Sequence, residues 1–324
     1  MVRKLLLSAG FGIVVLAVLA LIGDAPRVWT VLKTFPLSYL PAILLLTSWN
    51  YLLRFGKWHF YLQRLHIPAG WRDSVGIFAC GLSMAITPGK AGELLKSLLL
   101  RRQVGTPIAA SAPIVLSERL TDGLAMVCLA ATGLGLYHQA VRPLALLVAV
   151  SLIVVVLSQL PTVRHRLIPW LQNHPRFSRW ADSIGHLYAS ARTLLSPPIL
   201  LLAVGIGLLS WSGECVAFYL VLQGLGLHGG WTLLNQAAFV LAISTLIGSA
   251  SLLPGGLGTA ETSSTALLLA VTHTSLSVAV AATVLIRLCT LWFGVTIGVI
   301  SLWIYRRRFS LGQQWSSLTL VPSD

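Results

Sequence analysis

The run LLLSAGFGIVVLAVLALIG, from Leu5 to Gly23, carries no charge. A helix of about 20 apolar residues is long enough to cross the hydrocarbon core of a bilayer. Comparable runs recur as far as residue 304, and this recurrence limits the fold more than any other feature of the chain. Inside a bilayer every backbone polar group must find a partner within the protein, so such runs are read as helices. Composition agrees: 56% of residues are hydrophobic and 10% charged, against roughly 25% charged in soluble domains. The fold class expected is an all-α polytopic membrane protein. The first run exceeds the usual length of a signal-peptide core and is read as a transmembrane helix.

The charge is one-sided, with 23 Lys and Arg against nine Asp and Glu. In an oily chain this excess reads as basic loops on the cytoplasmic side, and no nucleic-acid partner is expected. Cys80, Cys128, Cys215 and Cys289 all lie in apolar runs, and the eight His are scattered. Neither set has metal-ligand spacing, so no metal and no cofactor is expected.

Six segments read as spans, about 5–23, 37–55, 107–136, 142–160, 198–222 and 277–304. Two further apolar segments, about 74–100 and 233–271, are each interrupted by Pro and Gly. Arg54, Lys57, Arg64 and Arg72 precede the first broken segment, and Lys96, Arg101 and Arg102 end it. That segment is therefore expected to enter and leave from the cytoplasm, with Lys96, Arg101 and Arg102 as anchors. The second has charge-poor flanks and is expected to enter and leave from outside. The expectation is six transmembrane helices plus two re-entrant broken-helix hairpins, both termini cytoplasmic, with eight spans as the competing count. Phe177, Trp180, Ile184, Leu187 and Tyr188 share one helical face in the connecting loop, which predicts an interfacial amphipathic helix at about 176–192.

The two broken segments resemble each other. Pro88-Gly89-Lys90-Ala91-Gly92-Glu93 and Pro254-Gly255-Gly256-Leu257-Gly258-Thr259-Ala260-Glu261 are both P-G-x-x-G followed by Glu. HIPAGW (66–71) matches LHGGW (227–231), and Arg119-Leu120 matches Arg287-Leu288. Each half then has three spans and a hairpin. An odd number of spans forces the second half to be inverted, which the loop charges suggest independently. The expected organisation is a first membrane repeat over 1–140, a second over 141–308, and a polar tail over 309–324. A break frees backbone N–H groups at the start of the following helix, where the dipole favours an anion such as a phosphate.

Five acidic residues, Glu93, Glu118, Asp122, Glu214 and Glu261, lie in apolar segments, as do Arg119 and Arg287. Each costs roughly 2.5–3.5 kcal/mol at the bilayer centre on insertion scales, so each needs a partner or water. Structural readings are open: Glu93 and Glu261 as helix-dipole partners, Arg119 with Asp122 as a folding clasp, Glu214 as an interior pair. The functional reading is a polar path for an anionic headgroup. Its candidate binding residues are Pro88, Gly89, Lys90, Gly92, Glu93, Glu118, Arg119, Asp122, Pro254, Gly255, Gly256, Gly258, Glu261 and Arg287. Arg119 and Arg287 would hold a phosphate, with Glu93 and Glu261 as counter-charges or proton acceptors. No catalytic constellation of nucleophile and base stands out, and no enzyme activity is expected.

ITPGKAGELLKSLLL, IVLSERLTDGLAMV and LLPGGLGTAET, taken in order, resemble the transmembrane domain of lysylphosphatidylglycerol synthase. That domain also occurs alone in flippase-like proteins. The resemblance covers about residues 5–305. It implies movement of a lipid or lipid-linked glycan between leaflets of a cell inner membrane. The partners it implies are an anionic or phosphate-bearing membrane lipid, a second copy of the chain, or a glycosyltransferase or aminoacyl-transferase. In two-domain relatives a soluble aminoacyl-transferase domain follows; only FSLGQQWSSLTLVPSD follows Arg308 here, so this chain is not expected to aminoacylate lipid by itself. Thr259-Ala260 stands where an aromatic residue is expected before the second-motif Glu. Two other readings remain open: an ion-coupled transporter of a small soluble anion, and a non-transporting partner subunit of a lipid- or glycan-modifying complex.

Overall fold

The computed structural model describes residues 2–87, 94–133, 135, 141–160, 169–170 and 178–305. Among them every regular element is helical. The order is α1 (Val2–Ile22), α2 (Ala25–Thr34), α3 (Leu40–Arg64), α4 (Trp71–Leu82), α5 (Leu95–Val104), α6 (Ile108–Ala131) and α7 (Val141–Gln159). Then come α8 (Ser178–Leu194), α9 (Pro197–Gly224), α10 (Gly230–Ala250), α11 (Thr259–Thr272), α12 (Leu276–Arg287) and α13 (Phe293–Tyr305). Short 3₁₀ turns at Ser83–Ile86 and Pro254–Gly256 mark the two breaks, and a π-helical turn at Leu288–Trp292 joins α12 to α13. The chain is an all-α, multi-pass membrane protein.

By length and apolarity α7, α9, α10 and the continuous Leu276–Tyr305 stretch each suffice to cross a bilayer. The first span adds a bend that hydropathy alone conceals. Gly10–Ile22 and Ala25–Thr34 meet at 99°. Asp24 at φ 65 and Pro26 in the first turn of α2 end one helix and start the next. Val28 of α2 packs beside Leu19 and Val280, tying the bent pair to α12.

The first broken segment has a short entering leg, 12 residues in α4. The second differs from expectation: its entering leg, α10, has 21 residues, about 31 Å at 1.5 Å per residue. A helix of that length does not need to turn back midway, whereas the 14 residues of α11 fall short of a full crossing.

Equivalent positions 160 residues apart behave alike. α3 ends at Arg64 and α9 at Gly224. The Leu65, His66 and Ile67 N–H groups donate to the Tyr61, Gln63 and Leu62 carbonyls; those of Leu225, Gly226 and Leu227 donate to Val221, Gln223 and Leu222. Both ends place a left-handed residue at the same point, His66 at φ 53 and Gly226 at φ 86. Where α3 crosses α9, Asn50 Nδ2 donates to the Ser210 carbonyl at 3.1 Å and Ser210 Oγ donates to the Asn50 carbonyl at 3.3 Å. Residue 50 thus contacts residue 210 in the way residue 210 contacts residue 50.

α4 and Ser83–Ile86 lie on α13, while α10 lies on α6. Gly298 of α13 sits so close to Ser83 that a Cβ there would collide with the Ser83 backbone. The turn before the first break touches the second break: Ser83–Ile86 contacts Pro254–Gly256. A Cβ on Gly255 would lie 3.4 Å from Ile86 and 3.5 Å from the Ala85 carbonyl.

The predicted amphipathic helix is only partly interfacial. α8 packs against α6, with Ala181, Tyr188, Ser190 and Leu194 buried, while Leu187 is exposed and Ile184 half-buried. The predicted apolar face is therefore divided between protein and surroundings. Phe177, the Trp180 side chain and the polar tail at 309–324 lie outside the described residues.

Candidate functional site

The second break is held by its own charged pair. Gly255, Gly256 and Gly258 take φ values of 60, 68 and 89. For Gly256 the sign and the space both exclude a side chain, because a Cβ would lie 2.9 Å from Gly248 Cα. The break leaves N–H and C=O groups without helical partners. Glu261, fully buried in the first turn of α11, accepts the Gly258 N–H at 2.7 Å. Arg287 donates from Nε to Glu261 at 2.5 Å and from Nη2 to the Gly255 carbonyl at 2.7 Å. The helix end expected to receive a ligand anion thus holds Glu261, an anion of the chain itself.

The first half is braced differently. Lys96 Nζ donates to Glu118 at 2.5 Å, with its ammonium 4.4 Å from the Trp58 ring centroid. Lys57 Nζ donates to Asp122 at 2.5 Å and to Thr121 at 3.3 Å. Arg54 Nε lies 3.8 Å from the other Asp122 oxygen, and its guanidinium is 5.8 Å from the Trp211 ring. Three cations expected in loops are therefore inside the protein. α3 continues to Arg64, so Arg54 and Lys57 lie within a helix of 25 residues, and Lys57 is fully buried. Lys96 is buried too, while Arg101 and Arg102 are exposed, as anchors would be. Asp122 is gripped from α3 by Lys57. A Glu118–Asp122 spacing of four residues puts both acids on one face of α6, where α5 and α3 each supply a lysine.

A cavity of about 170 Å³ opens beside the contact between Ser83–Ile86 and Pro254–Gly256. Arg54, Lys96, Arg119 and Arg287 line it, together with Glu214. Ala85, before the first break, and Gly255 and Gly256, in the second, also line it. Hydroxyls of Ser244, Ser264 and Thr290 and the rings of Tyr51 and Trp211 complete its polar and aromatic wall. Tyr51 donates to the Thr290 carbonyl at 2.7 Å, within the π-helical turn that follows Arg287. Such turns disturb the helical ladder and leave carbonyls in need of other donors.

Of the residues singled out in the sequence, Arg119, Glu214, Gly255, Gly256 and Arg287 line the cavity. Glu118, Asp122 and Glu261 sit behind it, each bonded to a cation. Pro254 begins the turn and Gly258 caps α11. Pro88, Gly89, Lys90, Gly92 and Glu93 lie outside the described residues. Sequence reasoning missed Arg54, Lys96, Tyr51 and Trp211 as cavity residues. It also missed a Ser–His contact, His59 Nδ1 to Ser74 Oγ at 3.0 Å. Ser74 is fully buried at the start of α4, and Gln63 lies 3.3 Å from the other ring nitrogen, so the contact anchors a helix start.

Among the described residues no group of three His, Cys, Asp or Glu is placed to hold a metal. A UPF0104 membrane protein of Methanothermobacter thermautotrophicus is 26% identical over 268 residues, covering 75% of this chain and 78% of that protein. The profile of the lysylphosphatidylglycerol synthase TM region matches residues 5–298, which include α3, α6, both breaks and every cavity residue named above. The chain belongs to the lysylphosphatidylglycerol synthase transmembrane-region family.

Proposed function

We propose that the protein moves an anionic, phosphate-bearing lipid headgroup between the leaflets of a cell inner membrane. The observation carrying this reading is the cavity beside the contact between Ser83–Ile86 and Pro254–Gly256, lined by four cations and one carboxylate. Charges at membrane depth are costly and persist where they face a polar path or pair with one another. Here the pairs Lys57–Asp122, Lys96–Glu118 and Arg287–Glu261 hold the frame. The cavity is smaller than the roughly 300–1,000 Å³ of drug-sized ligand sites, so it suits a headgroup whose acyl chains stay in the bilayer. The family's name links this region to a lipid-modifying enzyme; the proposed role is transport without catalysis by this chain.

The proposed architecture is a pair of inverted repeats, about 1–140 and 141–308, with both termini cytoplasmic. The matched helix ends, the reciprocal Asn50–Ser210 bonds and the exchange of hairpins between halves support it. Alternating access would rock one half against the other about the α3–α9 crossing. The test is leaflet translocation by purified protein in liposomes, with short-chain anionic, zwitterionic and polyprenyl-phosphate lipids compared. Transport of an anionic class, lost in Arg119→Ala and Arg287→Ala while folding is kept, is the expected result. Absence of transport for all three would shift the reading to a soluble-anion carrier or a partner subunit.

A further inference from the structure

Glu214 stands apart from the other buried acids. Lys96 bonds Glu118, Lys57 bonds Asp122, and Arg287 bonds Glu261, but Glu214 has no hydrogen-bond partner among the described residues. It is 5% exposed and lies on the cavity wall. Its position in α9 is 160 residues beyond Arg54, the offset that relates Asn50 to Ser210, so Arg54 and Glu214 occupy matching places on the two crossing helices.

The groups that face Glu214 electrostatically are Arg54 of α3, Asp122 of α6 and Arg287 of α12. Tyr51 of α3 faces it as well. Arg119 of α6 and Lys96 of α5 share the cavity wall, and Cys215 is its neighbour on α9. α10 brings only apolar and hydroxyl-bearing residues to that wall, among them Leu241, Ser244 and Thr245. A buried carboxylate needs a counter-charge or a proton. Arg54 is one counter-charge that acts on it, yet it also serves Asp122 and lies over the Trp211 ring. Arg287 is engaged twice over, by Glu261 and by the Gly255 carbonyl.

An anion entering this cavity must share Arg54 with Glu214 and lie close to its carboxylate. Like charges at contact distance repel strongly where water is excluded. We infer that Glu214 takes up a proton when an anion occupies the cavity, so that anion and proton bind together. This rests on the reading of the cavity as an anion site. Glu261 is a poorer carrier for such a proton, since both of its oxygens are already bonded to donors. Linkage then works in both directions: a proton on Glu214 tightens anion binding by the factor with which the anion tightens proton binding.

The experiment is calorimetric binding of short-chain phosphatidylglycerol to the purified full chain, in two buffers of different ionisation enthalpy. Sulfate forms a second arm. Both probes keep a fixed charge near neutral pH, so any proton taken up belongs to the protein, and the two arms separate a lipid from a free anion. The expected result for wild type is uptake approaching about one proton per anion, with affinity falling up to about tenfold per pH unit as pH rises. Glu214→Gln, which keeps the shape and removes the charge, is expected to bind the anion with heat independent of buffer. Binding by wild type without proton uptake overturns the inference, as does uptake that persists in Glu214→Gln. Should that variant not fold, the wild-type heats in the two buffers still decide. Failure of both probes to bind wild type overturns the anion-site reading itself.

Discussion

The two halves solve one problem in different ways. In the second, a single arginine secures the break: Arg287 reaches both Glu261 and the Gly255 carbonyl, and Glu261 caps α11. In the first, two lysines tie the acids of α6 to α5 and α3, with Arg54 also beside Asp122. The second arrangement ties the loop and the first turn of α11 to the end of α12. The first joins three helices across the bundle. A planar, forked guanidinium suits the former because it satisfies a carboxylate and a carbonyl together, whereas a lysine is a point charge that suits a one-to-one clasp. A clasp thus secures the acids of α6, and a stitched break secures the start of α11.

Substitutions separate the two designs. Lys57→Ala is expected to have the largest effect, since it removes the closest cation from buried Asp122 and leaves Arg54 at 3.8 Å; loss of one partner from a buried pair costs about 3–5 kcal/mol. Thermal unfolding in detergent reads this, and Lys57→Met combined with Asp122→Leu is expected to recover most of it. Gly256→Ala is next, because the new methyl meets the α10 backbone at a positive φ. Its expected loss is about 2–3 kcal/mol in the same assay.

Arg287→Lys is expected to keep the fold and lower transport roughly tenfold to a hundredfold, because an ammonium cannot hold Glu261 and Gly255 in the same geometry. Equal loss for Arg287→Lys and Lys96→Arg would erase the distinction between stitched break and clasp. The smallest effect belongs to the crossing: Asn50→Ala removes one of two reciprocal bonds and is expected to cost about 1 kcal/mol. A mutant cycle with Ser210→Ala would show whether the two bonds act together.

Much of this arrangement was legible in the sequence. The Pro-Gly breaks, the acids at 118, 122 and 261 and the arginines at 119 and 287 stood out because charge and helix breakers are conspicuous in apolar runs. Arg54 and Lys57 were harder to place, because hydropathy ends the second span near residue 55 and assigns later charges to a loop. Their signal was periodicity: Asn50, Arg54, Lys57 and Tyr61 recur at helical spacing on one buried face. Lys96 was hidden by its neighbours, since Arg101 and Arg102 are surface anchors and it reads as a third. The bend between α1 and α2 was marked by Asp24 and Pro26, but an apolar run outweighs such punctuation. The contact between Ala85–Ile86 and Gly255 depends on packing between distant segments, which sequence spacing does not encode.

The most direct measurement is a structure of the protein bound to short-chain phosphatidylglycerol, read for the position of the phosphorus atom. The account predicts phosphate density inside the cavity between Arg54 and Arg287, with the acyl chains directed into the surrounding lipid. Density only beside exposed Arg101 and Arg102, with the cavity unchanged, would contradict it.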